Sequence, residues 1–263
     1  MIVFEISRYE ARKRRRGSAA LTGGVIVFAL LLLSFFPSFE TVDLDEYVEA
    51  FPPAVREFFG IAALDTVEGF LAVEVYQFIW VLLLGLYFAY LGAGLIASDV
   101  ERGRMDLLLA LPVSRARVVG EKFASLLLPI LAINLFTPFA VYLGIVAIGD
   151  SIDPVSLAMV HLLSIPYFLI CAAIGLALST AIHRVDVAQR VAIVLVFALF
   201  LFETVAAMAD YDLLSALSPS HHYDPTAILV QGSYDLVGAG ILLVASIALV
   251  ILGAVWFKRV DVE

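Results

Sequence analysis

Residues 99–122 read DVERGRMDLLLALPVSRARVVGEK, a charged island between two long apolar segments. The chain on either side has the composition of membrane-buried polypeptide, so this short basic loop must face water. Val100, Met105, Leu108 and Leu109 recur near helical spacing, while Glu101, Arg102, Arg104 and Asp106 take the other side. That pattern predicts a short amphipathic helix over residues 100–111. Pro112 ends it, because proline lacks a backbone donor and its ring clashes with the preceding turn. Ser114 can then accept an otherwise unpaired N–H at the start of a helix that runs through Lys122 into the next apolar run. Periodicity alone is equally met by a solvated hairpin between two spans.

Composition widens this into a fold class. Of the 263 residues, 62% are apolar, and the mean hydropathy is +1.01. Soluble domains hold about 45–50% apolar residues, so an all-α polytopic membrane protein is expected. The single cysteine, Cys171, lies inside an apolar run, which excludes an intrachain disulfide and fits packing.

About 20 helical residues cross a hydrocarbon core of about 30 Å. Six segments reach that length, near Ala19–Phe36, Val75–Ala97, Phe123–Ile148, Ser156–Ile182, Val191–Ala209 and Leu236–Phe257. The first follows a basic run but is long and lacks a small-x-small cleavage site, so it reads as a retained span rather than a signal peptide. All but one of the 16 basic residues fall before span one, between spans two and three, between four and five, or after six; Arg56 is the exception. The positive-inside rule therefore places both termini and the 98–122 loop in the cytoplasm of a plasma-membrane protein.

With the loop and its topology in hand, Glu101, Gly103, the run Leu107, Leu108, Leu109, then Pro112, Val113, Ser114, Arg115 and Lys122 resemble the loop of ABC-2 type transporter permeases. There a Glu, a Gly, a Leu pair, a Pro-x-Ser-Arg and a Lys follow in that order. Asp106 takes the place of the usual acid, and Arg104 stands where a small polar residue is common. The resemblance implies a six-helix permease domain over residues 1–263 whose cytoplasmic coupling helix docks on a separate ABC ATPase. It makes Glu101, Gly103, Asp106, Leu108, Leu109, Pro112 and Arg115 the candidate ATPase contacts. It further implies a second permease subunit, identical or paralogous, and ATP with magnesium on the ATPase rather than on this chain. The Glu-Ala-Ala loop of ABC importers is absent.

Ile2, Ile6 and Tyr9 share a helical face ahead of Arg12–Arg16, so residues 1–18 are expected to lie as an amphipathic helix among inner-leaflet headgroups. Residues 37–74, split by Pro52-Pro53, read as two short helices on the outer leaflet, or as an outer cap. Tyr76 and Trp80 read as an interfacial anchor opening span two, with Trp256 closing span six. Gly85, Ala89, Gly92, Ala93 and Gly94 form a small-residue strip in span two, matched by Gly175 and Ser179 in span four, which favours close helix approach. Pro129, Pro138 and Pro166 are expected to kink spans three and four.

Three polar side chains lie deep in apolar segments: Asn134, His161 and Glu203. Glu203 is roughly 18 Å from the inner end of its span, and His161 is at similar depth. Buried acids are costly in hydrocarbon, so the expectation is a Glu203–His161 pair or a lining of the transport path, with outward snorkelling of Glu203 as the plainer option.

The outer loop 210–235 holds SPSHHYDPTAIL. Its paired histidines are too few for a metal centre, and ABC-2 permeases commonly carry a partly re-entrant Ser-Pro, aromatic, Asp-Pro stretch here. No Gly-Lys pair, Gly-x-Ser-x-Gly or His-Glu-x-x-His occurs, so no catalytic, cofactor-binding or metal residue is expected, nor a nucleic-acid partner. An intramembrane hydrolase built on Glu203 and His161 is the enzyme-class rival. A membrane anchor for an ATPase in metal-centre assembly is another.

Overall fold

A computed structural model describes residues 5–39, 66–110, 113–208 and 212–259, and all regular structure among them is helical. Six helices are long and apolar enough to cross a membrane: Glu5–Ser38, Val67–Ala93, Arg115–Ala147, Pro154–Ala181, Val185–Ala206 and Leu236–Lys258. These are spans one to six below. Their number and order match the sequence reading.

Spans four and two form the centre. In their apolar windows 72% and 61% of residues are buried, against 17–33% in the other four, whose outer faces show rows of Leu, Val, Ile and Phe. The pair meets backbone to backbone. A Cβ at Gly92 would overlap the Ala172 carbonyl oxygen, and one at Gly175 would overlap the Ala89 carbonyl oxygen. The small-residue strip therefore marks the tightest crossing, where lipid tails cannot compete with direct backbone packing. Just beyond it, Ser179 Oγ accepts the N–H groups of Ile96 (3.0 Å) and Ala97 (2.9 Å), satisfying the start of the short helix Ala97–Glu101.

Several boundaries differ from the sequence reading. Span one belongs to one continuous helix, Glu5–Phe39, which carries Pro37 inside it. The basic segment is thus an extension of the span and not a separate helix lying flat; Ile6 is half-buried and Tyr9 is 69% exposed. Span two starts earlier than expected, at Val67, where the Thr66 side chain caps the first turn by accepting from Gly69 N–H. The outer segment 37–74 is shortened at both ends accordingly, and its Pro52-Pro53 break and flanking helices lie outside the described residues. Leu71–Leu84 of span two is wound as a π-helix, with Gly85 N–H reaching back to the Trp80 carbonyl. The early start puts Tyr76 and Trp80 inside the bundle, both fully buried, so they are not interfacial anchors. Helix continues through Pro138 and Pro166, whereas Pro129 sits in the first turn of the helix Leu127–Ala147, where a missing N–H costs nothing. Cys171 is fully buried among apolar neighbours.

At its start, span four is capped by Asp153, which accepts from Ser156 N–H (2.8 Å). The Ser156 hydroxyl and backbone N–H hold its carboxyl below the usual carboxylate range. The segment before span six folds back into the bundle: Asp224 caps the helix Pro225–Leu229, and Tyr223 donates to the Val160 carbonyl (2.9 Å) while stacking on Tyr167.

Candidate functional site

The loop after span two is built from three short pieces. The helix Ala97–Glu101 stops where Gly103 takes a φ of 64°, a left-handed conformation that glycine adopts without the Cβ clash other residues incur. Helix resumes over Arg104–Leu109, with Met105 fully buried and Leu108 packed against the core. The expected single helix over 100–111 is therefore divided at Gly103, because two helical arms must meet at an angle. Ser114 then caps the helix Arg115–Ala124 by accepting from Arg117 N–H, as anticipated. Leu111 and Pro112 lie outside the described residues, as do the side chains of Asp106 and Leu109.

Charged side chains of this loop grip the ends of three other helices. Glu101 Oε2 accepts the N–H of Val185 (2.7 Å), the first residue of span five. Glu121 Oε2 accepts the N–H groups of Ile6 (2.9 Å) and Ser7 (3.2 Å), in the first described turn of span one. Arg115 Nη1 donates to the Phe257 carbonyl (2.9 Å) in the last turns of span six, and its guanidinium lies over the Phe257 ring. Carboxylates meet N-termini and a guanidinium meets a C-terminus. Glu101 satisfies an N–H that opens its helix, and the other two contacts place charge favourably against the dipole near the first and last described turns of spans one and six.

Behind these contacts lies a buried charge cluster. Lys122 Nζ bonds Asp99 and reaches Glu10 Oε1 at 3.3 Å, and Asp99 also pairs with Arg104 (2.6 Å). Lys122, Asp99 and Glu10 are each at most 9% exposed. The loop, the first described turns of span one, the last described turns of span six and the turn before span five thus share one end of the bundle, the end that the basic residues marked.

A second polar group sits in the apolar centre. Asn134 donates to the Ile130 carbonyl (2.9 Å), which leaves its Oδ1 facing His161 Nδ1 (3.2 Å) and Ser164 Oγ (2.7 Å). Since Oδ1 only accepts, His161 Nδ1 carries the ring proton and Nε2 accepts from the Tyr76 hydroxyl (2.9 Å). Trp80 Nε1 donates to Ser164 Oγ (3.3 Å), and the Trp80 ring stands edge-on to the imidazole with centroids 5.0 Å apart. Every member is satisfied with the histidine neutral, and the network ties spans two, three and four together. His161 thus bonds Tyr76 and Asn134 and does not pair with Glu203. The half-buried Glu203 instead faces Ser220 and Asp224 of the re-entrant segment.

A family model described as ABC-2 family transporter protein matches residues 4–262. The chain belongs to this family. Among curated proteins none matches the permease. The match covers almost its whole length, so it is a membrane transport component and not an enzyme in its own right. His221 and His222 of the permease brace the loop before span six, against Ser215 Oγ and the Ala216 carbonyl respectively.

Sequence reasoning singled out Glu101, Arg115 and Lys122 in the permease loop but missed their partners. Asp99 and Glu10, which pair with Lys122, and Glu121, which meets span one, are acids set among basic residues, yet what each would meet was not readable. Tyr76 and Trp80 were missed as partners of the His161–Ser164 turn because separations of 84–85 residues carry no periodic signal. Asn134→Leu is expected to strand the His161 N–H and lower stability by about 1–2 kcal/mol, within the range for unmade buried bonds and toward the upper end for membrane pairs. Thermal unfolding of the purified permease checks it; an unchanged midpoint would show the network to be dispensable.

Proposed function

We propose that the permease is half of a paired, ATP-driven exporter in the plasma membrane, with both termini in the cytoplasm and a separate ABC ATPase engaging the 98–122 loop. Family membership supports the transport role, and the gathering of all but one basic residue around one end supports the orientation. The observation that carries the mechanism is the loop's attachment to the ends of spans one, five and six. A push on the exposed turn at Arg102 and Gly103 would be passed to span five through Glu101 and to span six through Arg115. In this reading Glu101 and Arg115 transmit motion inside the permease. Gly103 with Asp106, Leu108, Leu109 and Pro112 supplies the surface and hinge that the ATPase grips.

ATP and magnesium are held by the ATPase, whose closure moves the two loops and reopens the spans outward. His161 and Asn134 hold spans two to four in register, and Glu203, half-exposed beside the re-entrant segment, is the residue placed to meet cargo. Glu203→Gln is then expected to lower transport without lowering assembly.

The direct test reverses charge at Glu101 and crowds the turn. Glu101→Lys with Gly103→Trp is expected to leave insertion and ATP hydrolysis by the assembled complex intact while transport into inverted vesicles falls at least about tenfold, the loss expected when a ~1.4 kcal/mol coupling is removed. Normal transport by that double variant would remove the loop from the coupling path.

A further inference from the structure

Because the helix Glu5–Phe39 has no break, its basic end rises out of the bilayer as a post, and the depth of each cation can be counted. The apolar run starts at Ala19. At 1.5 Å per residue, Arg16 and Arg15 lie about 5–6 Å beyond the hydrocarbon, Lys13 and Arg12 about 9–11 Å, and Arg8 about 16 Å. The headgroup layer on each side is about 5–7 Å thick, so Arg15 and Arg16 stand at phosphate level. Arg12 and Lys13 lie about 2–6 Å beyond that layer, inside a Debye length of about 8 Å.

All five of these side chains are exposed, and none enters an ion pair among the described residues. The same helix turns Glu10 inward, buried against Lys122, while Glu5 is exposed about one turn beyond Arg8, farthest from the bilayer. A chain of net charge −9 therefore presents, among its described residues, a positive surface that begins at the level where lipid phosphates lie and extends past it.

We infer that the outward face of this helix end is a binding surface for anionic phospholipid headgroups. Arg15 and Arg16 contact phosphate directly, and Arg12 and Lys13 add attraction through the field. The inward face of the same turns holds Glu121 and Lys122, so bound lipid braces the helix against which the loop is anchored.

The test uses the full-length permease in detergent, with native mass spectrometry reading retention of added phosphatidylglycerol against phosphatidylcholine. Phosphatidylglycerol is expected to be retained about tenfold better, a preference of the size that a few interfacial cations supply. The preference should fall to within about twofold in Arg12→Gln/Lys13→Gln/Arg15→Gln/Arg16→Gln and in the unaltered protein at high salt. It should survive in Arg184→Gln/Arg190→Gln, which removes charge elsewhere at the same end, and in Arg15→Lys/Arg16→Lys, which keeps it. The inference is overturned by an unaltered preference in the fourfold Gln variant, or by a salt-insensitive preference in the unaltered permease. It is also overturned if the fourfold variant keeps the lipid preference but no longer copurifies with an ATPase, which would make this a protein-docking face.

Discussion

Lys122→Met is expected to cost about 3–5 kcal/mol of folding stability, the range for removing one partner from a buried ion pair. The ammonium is 2% exposed and lies between Asp99 and Glu10, themselves 5% and 9% exposed, so its loss leaves two carboxylates without compensation. Arg104 offsets part of the charge on Asp99 but is 40% exposed and weakened by solvent. Reaching inward to replace Lys122 would require Arg104 to abandon the turn after Gly103. Adding Glu10→Gln and Asp99→Asn to the Met variant should return most of the lost stability, because the neutral trio no longer buries net charge. Thermal unfolding of the detergent-solubilised variants reads both effects. If Lys122→Met unfolds at the parental temperature, or if the triple variant is no better than the single one, the cluster is not what fixes span three against span one.

The crossing of spans two and four gives the other large effect. Gly175→Ala and Gly92→Ala each insert a methyl group where a backbone carbonyl oxygen already lies, and a carbonyl within a helix cannot rotate aside as a side-chain tip can. The helices must separate, and overpacking costs about 1–3 kcal/mol, toward the upper end where the obstacle is backbone. Separation would also pull Ser179 from the N–H groups of Ile96 and Ala97, so damage at the crossing spreads to the start of the loop. Recovery of monodisperse protein and its unfolding temperature should drop for either variant. Gly120→Ala, at a position where a Cβ meets nothing within 4 Å, should leave both unchanged. Because the two glycines meet the same pair of backbones, combining the substitutions should cost less than twice either one. Parental behaviour of Gly92→Ala would mean the helices do not cross this closely.

Six spans, their order and the common end of the basic residues were legible in the chain, because hydrocarbon forces long apolar runs and charge bias is a one-dimensional property. Ser114 as a cap and Gly92 and Gly175 as close-approach positions were also legible, since each depends on local geometry or on residue size. The tertiary structure decided the partners. That Glu101 meets span five, Glu121 span one and Arg115 span six follows from which helix ends converge, a matter of helix lengths and crossing angles that no local pattern records. Tyr76 and Trp80 looked like lipid anchors because their rings suit an interface. They are core residues because span two begins at Val67, about two turns earlier than its apolar run suggested, and draws both rings inward to His161 and Ser164. Glu203 and His161 share a depth, but depth fixes only one coordinate; the rotation of each helix about its axis sets the other two, and packing alone determines that.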